Sequence, residues 1–398
     1  MEKEKSFVLR SYIGFAGVTA LIGLNWFMWG PLLGSVVGPK YNVSGFLLAL
    51  FISSVPLALV FLSYFAGDLA DRDPKKATVI SALILLVAVI IRPFTLFNFY
   101  FLLADQILLS ISAAFCFPSW APLTYRLFEK KKAASLIAGF TAALTGGQII
   151  AFLITYPLVK KISLSGVMWL YGIITAAIAL FYIFTIRSGE FPYEHTANKR
   201  PGLIEGVRIV LSEKSMIPLM IISFLDIGVF SWLAGWLPSI LITHKGITPS
   251  QAGIVNSIIL TGCLIGAETV PNIAHHIKKV KVFLLTLPLI CVAMLAVIPA
   301  LNNYYLLLVD ALILGFALFP MYPLGVHLPS AYSKIGVAFA GVGGAIMLIA
   351  GNLGGFIFPE LGATVTQINK AILLFGIIPM VLMFVSALFF KDPDTYQK

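Results

Sequence analysis

Charge is what this sequence has least of. Only 11% of its 398 residues are Asp, Glu, Lys or Arg, against roughly 25% in a soluble domain. So little polar surface cannot cover a water-soluble globule. Cysteine is also scarce. Cys116, Cys263 and Cys291 each lie in an apolar stretch without metal or redox spacing, which excludes a disulfide scaffold and a thiolate metal centre. No Gly-x-x-x-x-Gly-Lys-Ser/Thr segment is present, so no phosphate-cradling loop of that kind is expected. His244, His275, His276 and His327 form no His-x-x-x-His set, and adjacent His275 and His276 point in different directions on a helix. No stretch outside the apolar segments is long enough for a catalytic domain. We therefore expect no enzyme, no catalytic residues, no bound metal and no cofactor.

Hydrophobic residues are what is there: 59% of the chain, with a mean hydropathy of +0.97. Uncharged stretches cover residues 11–39, 41–67, 133–159, 162–186, 282–309 and 335–359. Each exceeds the roughly 20 apolar residues that cross a bilayer. Backbone groups in lipid must pair within their own segment, so these stretches are helices. Barrel strands would be shorter and would alternate polar with apolar. The first stretch is too long for a signal-peptide core and is read as a retained helix. The pattern predicts twelve spans, at 9–35, 45–66, 77–96, 99–123, 134–158, 164–186, 216–242, 250–273, 282–300, 303–327, 336–358 and 367–390.

The net charge of +10 raises the question of nucleic acid, and its distribution answers it. With these spans, loops on one side hold 21 of the 27 Lys and Arg. The other side holds Lys40, Lys160, Lys161, Lys245 and Lys370, and Arg92 lies inside a helix. This asymmetry is the positive-inside pattern of a multi-pass membrane protein with both termini cytoplasmic. No nucleic-acid partner is expected.

The chain also repeats itself at a distance of about 200 residues. Tyr100-Phe101-Leu102-Leu103-Ala104-Asp105 returns as Tyr305-Leu306-Leu307-Leu308-Val309-Asp310. Phe117-Pro118-Ser119-Trp120-Ala121-Pro122-Leu123 returns as Phe319-Pro320-Met321-Tyr322-Pro323-Leu324, and Trp29-Gly30-Pro31 resembles Gly235-Trp236-Leu237-Pro238. Six helices per repeat keep both copies in one orientation. The expected domains are 1–186 and 216–398, each a six-helix bundle, joined by a linker loop at 187–215. That linker, which contains His195 as a solvated loop residue, is expected to carry one amphipathic surface helix at 203–213. A monomer is expected.

After the second predicted span the chain reads Gly67-Asp68-Leu69-Ala70-Asp71-Arg72-Asp73-Pro74-Lys75-Lys76. This resembles the signature of the major facilitator superfamily, Gly-x-x-x-Asp-Arg-x-Gly-Arg-Lys/Arg, in its expected place. Pro74 stands for the usual Gly and Lys75 for the usual Arg. The resemblance, extended by the twelve spans and the duplication, implies an all-α fold of two pseudo-symmetric bundles. It also implies that Gly67, Asp71, Arg72 and Lys75 form a conformational latch. Gly67 is read as allowing close helix approach, and Asp71 as attracting the positive end of a neighbouring helix. The second copy, Pro271-Asn272-Ile273-Ala274-His275-His276-Ile277-Lys278-Lys279, has lost the Asp-Arg pair.

Ionisable residues inside a membrane are costly unless paired or hydrated, which makes each a functional candidate. Arg92 and Asp105 flank the turn at 95–98 and are read as an ion pair across it. Asp310 repeats Asp105, but the matching segment Val297-Ile298-Pro299 offers no Arg. Asp226 lies mid-span with no base near it in sequence. Glu268, close to the basic run at 275–281, is read as a structural contact. The family resemblance puts Asp105, Asp226 and Asp310 on cavity-lining helices, and they are the proton-coupling candidates. Substrate-binding candidates are Asn25, Trp26, Trp29, Gln148, Asp226, Trp232 and Asn352, deep amides and aromatics that need a partner in an apolar setting.

These features predict a secondary active transporter of the cytoplasmic membrane, exposing a small organic solute to each face in turn with protons as the coupling ion. Aromatic and acidic groups favour a cationic or neutral amphiphilic solute. A proton symporter of organic anions or monocarboxylates and an uncoupled facilitator are the alternatives.

Overall fold

The computed structural model describes residues 2–193, 203–365 and 367–396. His195 and part of the predicted linker lie outside them. The described residues form helices and connecting turns, with no strand among them.

The chain divides into two compact units, Met1–Asn198 and Lys199–Lys398. The first contains α1 (Glu2–Phe27), α2 (Gly45–Arg72), α3 (Pro74–Thr95) and α4 (Phe99–Cys116). Then comes one helical run, Lys130–Arg187, broken at Ser163, where φ is 68° and ψ is 165°. That residue divides the run into α5 (130–162) and α6 (164–187), as the two predicted spans require. The second unit contains α7 (Met216–Lys245), α8 (Pro249–Ile277), α9 (Val280–Val297), α10 (Tyr304–Leu318), α11 (Gly336–Gly362) and α12 (Ile368–Phe389). A short helix at Leu203–Leu211 precedes α7.

Among the described residues, eleven helical stretches are long and apolar enough to cross a membrane. The stretch Ser135–Arg187, 53 residues long, holds two spans of roughly 20 residues, which gives twelve.

Proline sets the internal breaks. The predicted first span is continuous to residue 35, but α1 ends at Phe27 and gives way to a tight turn at Gly30–Leu32 and a wide turn at Leu33–Val37. Pro31 has no N–H to donate back along the helix, so the regular ladder stops before it. Pro118 interrupts the predicted 99–123 span in the same way, and the chain resumes as Trp120–Leu127. Its repeat, Pro320, separates α10 from a short helix at Met321–His327.

Polar caps recur at equivalent helix starts in the two units. Asn98 accepts hydrogen bonds at the start of α4, and Asn303 does so at the start of α10. Thr248 and Gln251 form a reciprocal capping box on α8, which satisfies two otherwise orphaned backbone donors.

Candidate functional site

In the first unit the polar residues of α1, α3, α4 and α6 converge on one guanidinium. Arg92 is 1% exposed. Its Nε donates to Asp105 Oδ2 at 2.6 Å. One terminal nitrogen donates to the Asn25 backbone carbonyl at 3.1 Å and to Asn25 Oδ1 at 3.2 Å. The other donates to Gln106 Oε1 at 3.2 Å. The indole ring of Trp29 lies under the guanidinium at 5.8 Å. Asn25 in turn donates to Thr175 Oγ1 on α6 at 3.0 Å and to Leu21 O at 2.9 Å. Pairing and hydrogen bonding together make a buried charge tolerable. Three polar atoms here still lack a partner among the described residues: Asp105 Oδ1, Gln106 Nε2 and Trp29 Nε1.

The second unit holds its buried carboxyl differently. Asp226, on α7, is 0% exposed; among the described residues neither of its oxygens makes a hydrogen bond of ordinary geometry, and the Tyr322 backbone is the polar group that reaches it. Tyr322, Cys263 and Cys291 are the electrostatic neighbours of this carboxyl, and none of them is a base. Asp310, 6% exposed, has an unpartnered Oδ2. The segment that matches Arg92 at the repeat spacing, Val297-Ile298-Pro299, carries no base.

Among the described residues no hydrogen bond links the remaining sequence candidates to these carboxyls. Trp26 is half-buried and donates to Ile52 O at 2.9 Å. Gln148 is buried on α5 against Gly23 of α1. Trp232 is fully buried, tilted against Phe375 at 5.8 Å, with its Nε1 unpartnered. Asn352 donates to Leu348 O of its own helix at 2.8 Å. Thus Asn25, expected to face a solute, spends its amide inside its own unit. No cluster of three or more His, Cys, Asp or Glu that could hold a metal ion occurs among the described residues.

The family profile of the Major Facilitator Superfamily matches residues 15–359. The chain belongs to the major facilitator superfamily. Solved structures of the same fold include a bacterial homolog of the human lysosomal transporter Spinster, in an inward-facing, unoccupied conformation. It aligns with a TM-score of 0.76 at 14% identity, over 98% of each chain. The nucleoside transporter NupG aligns with a TM-score of 0.73 at 15% identity, over 97% of this chain and 99% of that one. An uncharacterized protein of Archaeoglobus fulgidus is 23% identical over 165 residues, 42% of this chain and 75% of the relative. This chain is therefore a multi-pass membrane protein of a transporter family.

The superfamily signature folds as a cap. Pro74 occupies the first turn of α3, where its missing N–H costs nothing, and Asp73 accepts from Lys76 N at 2.9 Å. The carboxylate that caps the α3 N-terminus is therefore Asp73. Arg72 pairs with Asp68 one turn back at 2.8 Å, and Lys75 Nζ donates to Gly189 O at 3.0 Å. Gly67 does not mark a close approach: a Cβ there would sit 3.6 Å from Pro118, an ordinary contact. The close approaches lie elsewhere. A Cβ on Gly147 would come within 1.8 Å of Ala20 O, and one on Gly354 within 1.8 Å of Phe224 O. Glu268 is exposed and makes no ion pair with the basic run among the described residues.

Sequence reasoning missed a pair of lysines, assigned above to topology alone. Lys40 Nζ donates to Leu96 O at 2.9 Å, and Lys245 Nζ donates to Pro299 O and Leu301 O, the latter at 2.8 Å. Both tie the end of a unit's first membrane span to the turn between its third and fourth. Their spacing of about 205 residues, equal to that of Leu96 and Leu301, was the available signal.

Proposed function

We propose that the protein is a secondary active transporter of the cytoplasmic membrane, with both termini on the cytoplasmic side, that moves a small organic solute by alternating access and couples the movement to protons. The observation that carries this reading is Asp226, wholly buried in α7 with no base and no side-chain hydrogen-bond partner among the described residues. A carboxylate left ionised in such a place would cost several kcal/mol, an order-of-magnitude figure for a charge in the bilayer core. It is held as the neutral acid until water or a cationic group reaches it, which is the behaviour required of a proton carrier.

The deep aromatics and the lack of an uncommitted base favour a cationic or neutral amphiphilic solute. Arg92 is the one Lys or Arg buried in the helices among the described residues, and four groups already occupy it. An organic anion would have to displace one of them. NupG carries nucleosides by its description, which are neutral aromatic solutes of the favoured kind, although at this identity the likeness speaks for the fold.

The test is uptake into proteoliposomes under an imposed pH gradient, after a ligand screen by thermal stability. Asp226→Asn is expected to reduce gradient-driven uptake by about 100-fold, the lower end for loss of a positioned proton-transfer group, while solute exchange continues. Equal loss of exchange would mean that Asp226 serves folding or solute binding instead. Unchanged gradient-driven uptake would sink the assignment.

A further inference from the structure

A proline inside a helix has no N–H to return to the carbonyl four residues earlier, and its ring crowds that carbonyl out of line. In lipid a neighbouring helix is one of the few sources of a replacement donor. Two such carbonyls in this chain receive one. Pro56 lies inside α2, and the carbonyl it leaves, that of Ile52, accepts from Trp26 Nε1 of α1 at 2.9 Å. Pro238 lies inside α7, and the carbonyl it leaves, that of Ala234, accepts from Asn256 Nδ2 of α8 at 3.4 Å. Leu233 O shares the same nitrogen at 3.3 Å.

The two bonds occupy the same crossing. Asn256 stands 204 residues after Ile52, and Leu233 stands 207 after Trp26. The duplication runs at 205 for Asp105 and Asp310 and at 207 for Pro31 and Pro238. Each unit therefore ties its first helix to its second at one equivalent place, with donor and acceptor exchanged. In the first unit the first helix gives the donor and the second carries the proline. In the second unit the roles are reversed. Among the described residues no side chain does the same for Pro271 of α8 or Pro288 of α9, whose matching carbonyls belong to Ala267 and Leu284. The device belongs to this crossing and is not a general remedy for helix prolines.

Asn256 is 2% exposed. Both of its partners are carbonyls, so only the amide nitrogen can face them, and Oδ1 is left without a partner among the described residues. Leaving a buried acceptor bare is unfavourable, so what places this side chain is the service of its nitrogen to α7. An indole has a single donor, and Trp26 spends it on α2, which leaves none for a solute. We propose that Trp26 and Asn256 are splints: each replaces the missing proline amide and fixes the bend of the helix it braces, α2 in the first unit and α7 in the second. They are positioning residues. Asp226 lies about two turns before Ala234 on α7, so the second splint sets the rigidity of the helix that carries the buried carboxyl.

The test is hydrogen–deuterium exchange of the full chain in detergent, read by mass spectrometry. Asn256→Leu is expected to speed exchange over residues 236–241 of α7 by about fivefold, the factor for one ordinary hydrogen bond, and to leave α8 within about twofold of its unaltered rate. In a Pro238→Ala background the same substitution is expected to change α7 by less than about twofold, because an alanine at 238 returns an N–H to the Ala234 carbonyl. Trp26→Phe, which keeps an aromatic ring against Phe27, is expected to loosen residues 54–59 of α2 but not α1, and to lose that effect when combined with Pro56→Ala. Acceleration of equal size with and without the proline would overturn the proposal, since a simple loss of packing needs no proline. So would loosening centred on the helix that supplies the donor. If Asn256→Leu does not fold, the Trp26→Phe series decides by the same two criteria.

Discussion

Ser54 of α2 and Ser110 of α4 share a hydrogen bond of 2.9 Å in the first unit. At the equivalent crossing in the second unit, α8 and α10 meet through glycine: a Cβ on Gly315 would lie 2.0 Å from Ile259 O, and one on Gly262 lies 2.3 Å from Leu312 O. One crossing is held by a polar bond, the other by backbone approach. Small residues and hydroxyls are the two means by which helices associate in lipid. The same contrast runs deeper in each unit. The first neutralises its buried carboxyl with Arg92 and a set of amides, and the second leaves Asp226 and Asp310 bare. The two halves kept the helix-to-helix pairing and diverged in charge. This leaves the first unit's buried carboxyl paired with a base and the second unit's buried carboxyls without one.

Removing Arg92 should have the largest effect. Arg92→Met strands Asp105 and is expected to cost about 3–5 kcal/mol, read as a lowered denaturant midpoint in mixed micelles. Asp310→Asn should cost less than about 1 kcal/mol, because that carboxyl already lacks a partner. Similar losses for both would erase the contrast between the halves. Restored stability in Arg92→Met/Asp105→Leu would sharpen it.

Next come the glycines. Gly147→Ala and Gly354→Ala each drive a methyl into a backbone carbonyl, and each is expected to cost about 1–3 kcal/mol. Here the halves should behave alike, so a loss confined to one copy would show that the packing has diverged as well. The lysines follow. Lys245→Met gives up two charged hydrogen bonds and Lys40→Met one, so the first should cost more, about 2 kcal/mol against about 1. Equal melting temperatures would mean that the paired geometry carries no stability.

The smallest effect concerns the segment after α12, where Asp394 accepts hydrogen bonds from Ser333 N, at 3.0 Å, and from the Ser333 hydroxyl. The Asp394 carboxyl is depressed by its bonds from Ser333, so it favours the folded state above the unfolded pKa of about 3.9. That contribution is lost as pH falls through the lower, folded value. The melting temperature of Asp394→Asn should therefore lie slightly below that of the unaltered chain at pH 7 and converge with it in acid. A gap that widens in acid would reverse the sign.

Much of this was legible in the residues. The twelve spans and the Arg92–Asp105 pairing followed from length, charge and spacing. The matching ends of Asp105 and Asp310 followed from the duplication. Other features were not legible. Asp73 caps α3 because Pro74 fixes where the helix starts. Asn25 turns toward Arg92 and Thr175, partners 67 and 150 residues away. The lysines were visible as a repeat, but the carbonyls they hold are not encoded by any side chain.

By itself, the sequence determined that this chain enters a membrane, how often it crosses, and that it does so twice over by one plan. Insertion is a transfer of each segment from water to lipid, summed over neighbouring residues, so it can be read locally. Which carboxyls are answered and which are left bare was decided only in the tertiary structure. That outcome depends on which face each helix turns to its neighbours, and the facing is set by the packing of the whole unit at once.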